Sequence, residues 1–241
     1  MRIGFDLDGV LADLQAPFVR LATNLFPELD EREVQQEPAV PLPPGSDPGE
    51  QPEDPPPPGL RLTRRQTEAI WRQVAGTEDF WETLEELEPG SVRRLAALAD
   101  GRGWEVIFLT GRPKSAGRTV QRQSQRWLSR LGFPNPSTFV VHGSRGRIAD
   151  ALQLDAVVDD RADNCLDVAL ESKAGAILVW RGHEQAVPAS ARRLGIAVVP
   201  SVTACLDALV AAEESAGSDG LLARIRRAFG LRMKPASPFG R

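Results

Sequence analysis

The sequence predicts an α/β fold built on a doubly wound, mainly parallel sheet, and three observations carry that expectation. Short, wholly apolar runs such as Val106-Ile107-Phe108-Leu109 and Ala156-Val157-Val158 read as central strands, because a strand buried on both faces loses the polar alternation of a surface strand. Stretches of helical periodicity separate these runs, as the crossovers of a parallel sheet require. Each run also stops abruptly at polar residues of complementary type: Asp6 and Asp8, then Thr110-Gly111-Arg112-Pro113, then Asp159-Asp160-Arg161. In open α/β sheets ligands bind beyond the carboxyl ends of the strands, where these residues fall.

The first strand runs straight into Asp6-Leu7-Asp8-Gly9-Val10. Two carboxylates this close repel unless a cation lies between them, and a hard cation such as Mg²⁺ takes a few carboxylates together with phosphate oxygens and water. Gly9 lets the backbone turn sharply where a side chain would crowd an anion. Taken alone, the motif fits an acidic turn after an edge strand equally well. An apolar helix is expected from Pro17 to Phe26, followed by an acidic stretch from Glu28 to Gly59 that carries Pro38, Pro41, Pro43, Pro44, Pro48, Pro52 and Pro55 to Pro58. Such composition cannot bury enough apolar surface to offset its ordering entropy, so an extended or mobile loop is expected. A helix from Thr63 to Ala75 follows, with Thr63 as N-cap and Ile70, Trp71 and Val74 on one face. After Phe80-Trp81 and Leu84 to Leu87, Pro89-Gly90 opens a helix from Ser91 to Ala99.

From Trp104 the pattern alternates. Strands are expected at 104–109, 137–141, 155–158, 176–180 and 196–199, and helices near 115–131, 146–152, 163–171 and 202–213. The organisation that results is a core of residues 1–14 and 89–213, an insertion at 15–88, and residues 214–241 as a linker and tail. Leu221 to Arg232 forms a basic amphipathic stretch with Arg224, Arg226, Arg227 and Arg232, for which the sequence names no partner.

Composition narrows the function. The 241 residues are 41% hydrophobic and 26% charged, as in a soluble globular protein, and a net charge of −4 offers no general reason to bind a nucleic acid polymer. No apolar stretch approaches the roughly 20 residues needed to span a membrane. The chain enters its first strand at once, so no signal peptide is expected and the cytoplasm is the expected location. Cys165 and Cys205 lie in apolar helical stretches without metal spacing and are expected to be buried thiols. Tyrosine is absent, and the only histidines are His142, at a strand end, and His183. Catalysis by a histidine base or a tyrosine acid therefore has little support.

The ordered set Asp6-Leu7-Asp8-Gly9-Val10, Thr110-Gly111-Arg112, a basic element, then Asp159-Asp160 resembles the haloacid dehalogenase (HAD) superfamily of phosphohydrolases. Within it the set is similar to the 5'-nucleotidase and 5'(3')-deoxyribonucleotidase group, over roughly residues 1–180. The resemblance implies a HAD-like Rossmannoid core with a small helical cap inserted after the first strand, and positions 15–88 match that cap. It implies a Mg²⁺-dependent phosphomonoesterase that acts on a small phosphorylated metabolite, with a nucleoside monophosphate or deoxynucleotide favoured over a sugar phosphate or phosphoglycolate. A catalytically weak phosphate-binding protein is the reading from another class.

By the same resemblance Asp6 is the nucleophile, forming an aspartyl phosphate, and Asp8 protonates the leaving oxygen and then activates water. Asp6, the Asp8 carbonyl, Asp159 and Asp160 form the metal site, with the division between Asp159 and Asp160 left open. Thr110, Gly111, Arg112 and the Gly9 and Val10 amides bind the phosphate. Phe80 and Trp81 either stack on a base or pin the cap to the core. One departure stands out. The superfamily's lysine is replaced within Arg145-Gly146-Arg147, where Arg147 matches the lysine and Arg145 the arginine before it. Arginine is bulkier and planar, so the exchange is not conservative, and Lys114 is a second source of an ammonium group.

Overall fold

A computed structural model describes residues 1–27, 62–183 and 186–215. The Pro-rich acidic segment and the basic tail expected from the sequence lie outside the described residues. The core is a parallel six-stranded sheet of β1 (Arg2–Asp6), β4 (Glu105–Thr110), β5 (Ser137–Val140), β6 (Ala156–Asp159), β7 (Gly175–Val179) and β8 (Ala197–Val199). Its order is β5-β4-β1-β6-β7-β8, so the winding reverses at β1, and β1 pairs with both β4 and β6. That places the carboxyl ends of the three motif-bearing strands side by side, at the crevice where a doubly wound sheet takes its ligand.

Side-chain alternation along the strands decides which helices meet which face. Ile3, Phe5, Val106, Phe108, Ala156, Val158, Ile177 and Val179 pack on one face with Val92 and Leu95 of helix Ser91–Arg102, Trp127 and Leu128 of helix Val120–Arg130, and Cys205, Leu206 and Leu209 of helix Val202–Glu214. Leu109, Val157, Ala176 and Leu178 face the other way, against Ala149 of helix Arg145–Ala151, Cys165 and Val168 of helix Ala162–Glu171, and Ala191 of helix Ala189–Arg193. Gly4 is confined on this second face: a Cβ there would lie 2.9 Å from the Leu154 side chain.

Between β1 and helix Ser91–Arg102 the chain leaves the sheet. Leu7 accepts hydrogen bonds from the amides of Leu11 and Ala12, and Gly9, at φ 79°, donates to the Ala12 carbonyl, closing a tight turn. A two-residue strand β2 (Ala12–Asp13) then pairs antiparallel with β3 (Glu85–Glu86), joining the outgoing chain to the returning one. Helices Gln15–Leu25 and Arg64–Gly76 pack together beyond it through Phe18, Ala22 and Ile70, with Trp71 edge-on to Phe18 at 5.0 Å. Thr63 caps the second helix, as its sequence predicts, and does so in a reciprocal box with Gln66.

The helix expected from Ser91 to Ala99 runs on to Arg102, another starts late, and four short elements are unpredicted. The helix expected from 115 starts at Val120, because Ala116 and Gly117 are drawn against the returning chain: Asp79 donates its amide to the Ala116 carbonyl, and the Asp79 carboxylate accepts the Arg118 amide at 2.7 Å. The short pairs β2 and β3, the 3-10 turn Phe80–Glu82 and the helix Ala189–Arg193 carry too few residues to show a period, and none is predicted. Among the described residues no helix is long and apolar enough to cross a membrane.

Candidate active site

Asp6 and Asp8 leave the end of β1 toward different partners. Asp6, 7% exposed, accepts a hydrogen bond from Arg145 Nη2 at 3.0 Å. Arg145 opens the helix on the second face of the sheet, with Ser144 capping the Gly146 and Arg147 amides. Asp159, fully buried at the end of β6, lies 3.6 Å from Arg145 Nε and is held by the Arg161 amide and the Asn164 side chain. Asp8 instead turns toward the first face. Its carboxylate accepts from Arg112 Nε at 2.8 and 3.0 Å and from Arg112 Nη2 at 2.7 Å, with the Thr110 hydroxyl at 3.5 Å.

Arg112 is 2% exposed and fully engaged. Its Nη1 donates to Ser124 at 2.9 Å, and its guanidinium lies 4.8 Å from the Trp81 ring centroid and 5.8 Å from that of Trp127. A charge so deeply placed persists only with such pairing, and guanidinium tolerates aromatic faces well. Arg112 was expected among the phosphate ligands; the structure commits it to Asp8 instead. Trp81 is wholly buried and Phe80 is 5% exposed, packed edge-on at 5.1 Å. Trp81 Nε1 donates to the Pro113 carbonyl and Trp127 Nε1 to that of Leu84. Of the two roles left open for Phe80 and Trp81, the packing matches the second: both rings are buried and pin the returning chain to the core.

The basic element is corrected as well. Arg147, matched to the superfamily lysine, is exposed and lies 3.7 Å from Glu171, outside the cleft. Arg145 occupies the place beside Asp6. The reason is Gly146, where a Cβ would sit 2.1 Å from the Asp167 carbonyl, so this position must face helix Ala162–Glu171. Successive helical residues turn by about 100°, so the two arginines diverge on either side of the glycine. Lys114 is exposed, and so is His142 in the loop after β5. Gly111 lies close to the Arg145 guanidinium, a Cβ on it falling 4.0 Å from Nη2. The Gly9 amide, expected to face phosphate, is spent on the Ala12 carbonyl at 3.0 Å.

Electrostatically the cleft is over-supplied with carboxylates. Burial, then the charge of Asp159, hold the Asp6 carboxyl well above its ordinary range, against the pull of Arg145. Burial likewise raises Asp159. Asp160 is pushed up to about 8 by burial and by Asp159, and its carboxylate presses on the turn so closely that a Cβ on Gly9 would fall 1.9 Å from Oδ2. Among the described residues no three carboxylate, imidazole or thiol side chains converge to hold a metal ion unaided. Cys165 and Cys205 are buried and unbridged, and burial raises both thiols.

No protein-family model and no curated protein matches the chain. Solved structures do. A HAD family hydrolase from Deinococcus radiodurans R1, with bound phosphate and sodium, is 19% identical over 87% of this chain and 94% of its own, with a TM-score of 0.54. A hydrolase from Pseudomonas syringae is 17% identical over 90% of this chain and 100% of its own, with a TM-score of 0.48. At 19% identity, what the chain shares with the Deinococcus radiodurans protein is the fold.

Proposed function

We propose that the chain is a Mg²⁺-dependent phosphomonoester hydrolase of the HAD type that works through an aspartyl phosphate on Asp6. The observation that carries this reading is the division of labour at the end of β1: two carboxylates, two residues apart, each held by its own buried arginine. A structural turn has no use for that arrangement, whereas a nucleophile and a proton-transfer group both need fixed orientations. The phosphate held by the Deinococcus radiodurans protein of the same fold supports it further.

The residues fit Mg²⁺. This ion takes one or two carboxylates and leaves the rest of its octahedron to water and phosphate oxygens, so a cage of three acidic side chains is not needed. Asp6 and Asp160, with the Asp8 carbonyl, would hold it. The crowding that raises Asp6 and Asp160 is the condition that a bound cation relieves. When bound, Mg²⁺ supplies positive charge to the phosphoryl oxygens. An Asp6 carboxylate oxygen attacks phosphorus while the bond to the leaving alkoxide breaks, and Asp8 delivers the proton that this oxygen needs. Water then attacks phosphorus, the bond from phosphorus to the Asp6 oxygen breaks, orthophosphate leaves, and the proton lost by the water returns to Asp8. Arg112 and Thr110 hold Asp8 in place through both steps. Arg145 supplies the positive charge beside Asp6. Its Nε makes no hydrogen bond and lies 3.6 Å from the Asp159 carboxylate, so the same guanidinium stands beside both buried acids.

The substrate class is a small phosphomonoester. Burial of Phe80 and Trp81 removes the aromatic pair that would have favoured a nucleobase, so sugar phosphates and nucleotides stand level. The two helices packed beyond β2 and β3 are the proposed cap, which would exclude water and select among them. A phosphate-release screen across both classes with Mg²⁺ tests the reading, with Asp6→Asn as control. Turnover by Asp6→Asn equal to the parent would eliminate the covalent mechanism.

A further inference from the structure

Helix Val120–Arg130 buries Val120, Gln123, Ser124, Trp127 and Leu128, the spacing of a helix face turned to the core. Two polar residues, both wholly buried, interrupt that stripe at its centre. Polar groups at such positions cost stability unless each finds a partner, so their partners tell what they are for. Gln123 binds the chain that returns from the two packed helices. Its Oε1 accepts the Trp81 amide at 3.0 Å, and its Nε2 donates to the Arg118 carbonyl at 2.6 Å and the Ser115 hydroxyl at 3.0 Å. Ser124 accepts a hydrogen bond from Arg112 Nη1 at 2.9 Å. Two adjacent helix positions thus hold the ring that covers the Arg112 guanidinium and the guanidinium itself.

Arg112 meets Asp8 through Nε and Nη2, a side-on, two-pronged pair. Nη1 is the nitrogen left over, and Ser124 is its partner. The Arg112 side chain is wholly buried, so bulk solvent does not replace a hydroxyl removed from Nη1. A guanidinium is also rigid and planar. It cannot turn to find Nη1 another partner without swinging Nε and Nη2 off Asp8. We infer that Ser124 is a positioning residue: it fixes the plane of the Arg112 guanidinium, and through it the direction in which Asp8 presents its carboxylate for proton transfer. Gln123 supports it by seating Trp81 against the same guanidinium. Ser124 lies twelve residues beyond Arg112, within a helix rather than at a strand end, and belongs to none of the strand-end motifs.

This inference rests on the proposed phosphatase reading, in which Asp8 protonates the leaving oxygen. An alkoxide needs that proton in order to leave, whereas p-nitrophenolate is a stable anion and does not, so a misdirected Asp8 penalises alkyl esters selectively. Steady-state hydrolysis by the full-length protein compares p-nitrophenyl phosphate with the alkyl phosphate that the wild type cleaves fastest. The ratio of kcat/KM, alkyl over aryl, should fall about tenfold or more in Ser124→Val and stay within about twofold of wild type in Ser124→Thr. Both variants add the same β-branched bulk and differ in the hydroxyl, so packing strain is common to them. Melting temperatures then report the strain, and the ratio reports the position of Asp8. Ser124→Ala should lower the ratio as Ser124→Val does, without the added bulk. In protein labelled with ¹⁵N, the Arg112 Nε–H resonance, identified by its loss in Arg112→Met, should shift in Ser124→Val and Ser124→Ala and hold its place in Ser124→Thr. A ratio unchanged in Ser124→Val and Ser124→Ala, an equal fall in Ser124→Thr, or an Arg112 resonance indifferent to the loss of the hydroxyl overturns the inference and leaves the phosphatase reading standing. A wild-type protein that cleaves neither ester removes the phosphatase reading, and with it the proton transfer that Ser124 would serve.

Discussion

Arg112 holds Asp8 through Nε and Nη2 at 2.7 to 3.0 Å, from a position sealed beneath Trp81 and Trp127. The pair is asymmetric: the arginine side chain is wholly buried, whereas the Asp8 side chain keeps 19% of its surface open. Solvent can reach the carboxylate but not the guanidinium. On the proposed reading, a cation placed this way fixes the group in front of it rather than binding phosphate.

Arg112→Met should therefore lower kcat by about 10²-fold or more while KM for a phosphomonoester moves little, because the lost interaction orients a proton-transfer group rather than the ground-state ligand. Steady-state kinetics on the folded variant check this; a large rise in KM at constant kcat would return Arg112 to the phosphate site. The complementary change, Asp8→Ala, strands a buried guanidinium and should cost about 3 kcal/mol in a denaturant melt, beyond its effect on turnover.

Arg145 and Arg147 give a sharper contrast, since they stand two residues apart and differ in everything else. Arg145→Ala removes the cation beside Asp6 and should reduce kcat/KM by about 10³-fold. Arg147→Ala should leave it within about twofold and shift stability by less than 1 kcal/mol, as expected for an exposed pair 3.7 Å long. Equal losses in the two variants would show that the helix sits differently from the structure. Gly146→Ala forms the third arm: it cannot keep the present packing on Asp167, and should lower both stability and activity.

The sequence reading of this region went wrong for a physical reason. Motif spacing along the chain aligned Arg147 with the expected lysine, but a helix selects by angle, and the angle is set by the residue that must lie against its neighbour. Gly146 carried that signal, since a glycine inside a helix lowers its stability unless close packing requires it. Asp6, Asp8, Thr110, Asp159 and Asp160 were legible because each follows an apolar strand, and strand ends in a parallel sheet converge by topology alone. Arg181 and Glu88 were not legible. Arg181 reaches the turn through the Gly9 and Val10 carbonyls and Glu88 pairs with Arg181, so no motif marks either, and they come from segments 93 residues apart.

Phe80 and Trp81 were legible only as an aromatic pair, with their surroundings undetermined. Trp81→Phe should test the outcome directly. It keeps most of the buried volume but loses the indole N–H that donates to Pro113, leaving that carbonyl without its partner, so a loss of about 1–2 kcal/mol is expected. The ratio of kcat/KM for a nucleotide to that for a sugar phosphate should not change. A selective loss on the nucleotide would mean that the ring meets the base after all.

The carboxylates make stability depend on pH in a definite direction. In the folded, metal-free chain Asp160 titrates at about 8, against an ordinary value of 3.8. Between those values the folded state binds more protons than the unfolded state, so its stability is fullest below about pH 4 and declines as the pH rises through 8. Asp6 and Asp159, raised by burial, act in the same sense. Bound Mg²⁺ needs these groups ionised, so it competes with protons at low pH and relieves repulsion at high pH. Thermal melts with chelator should thus show the melting temperature falling from pH 5 to pH 8.5. Adding Mg²⁺ should raise it more at pH 8.5 than at pH 5, and Asp160→Asn should flatten both trends. A Mg²⁺ effect of equal size at the two pH values, or one that survives in Asp160→Asn, would place the ion elsewhere than between Asp6 and Asp160.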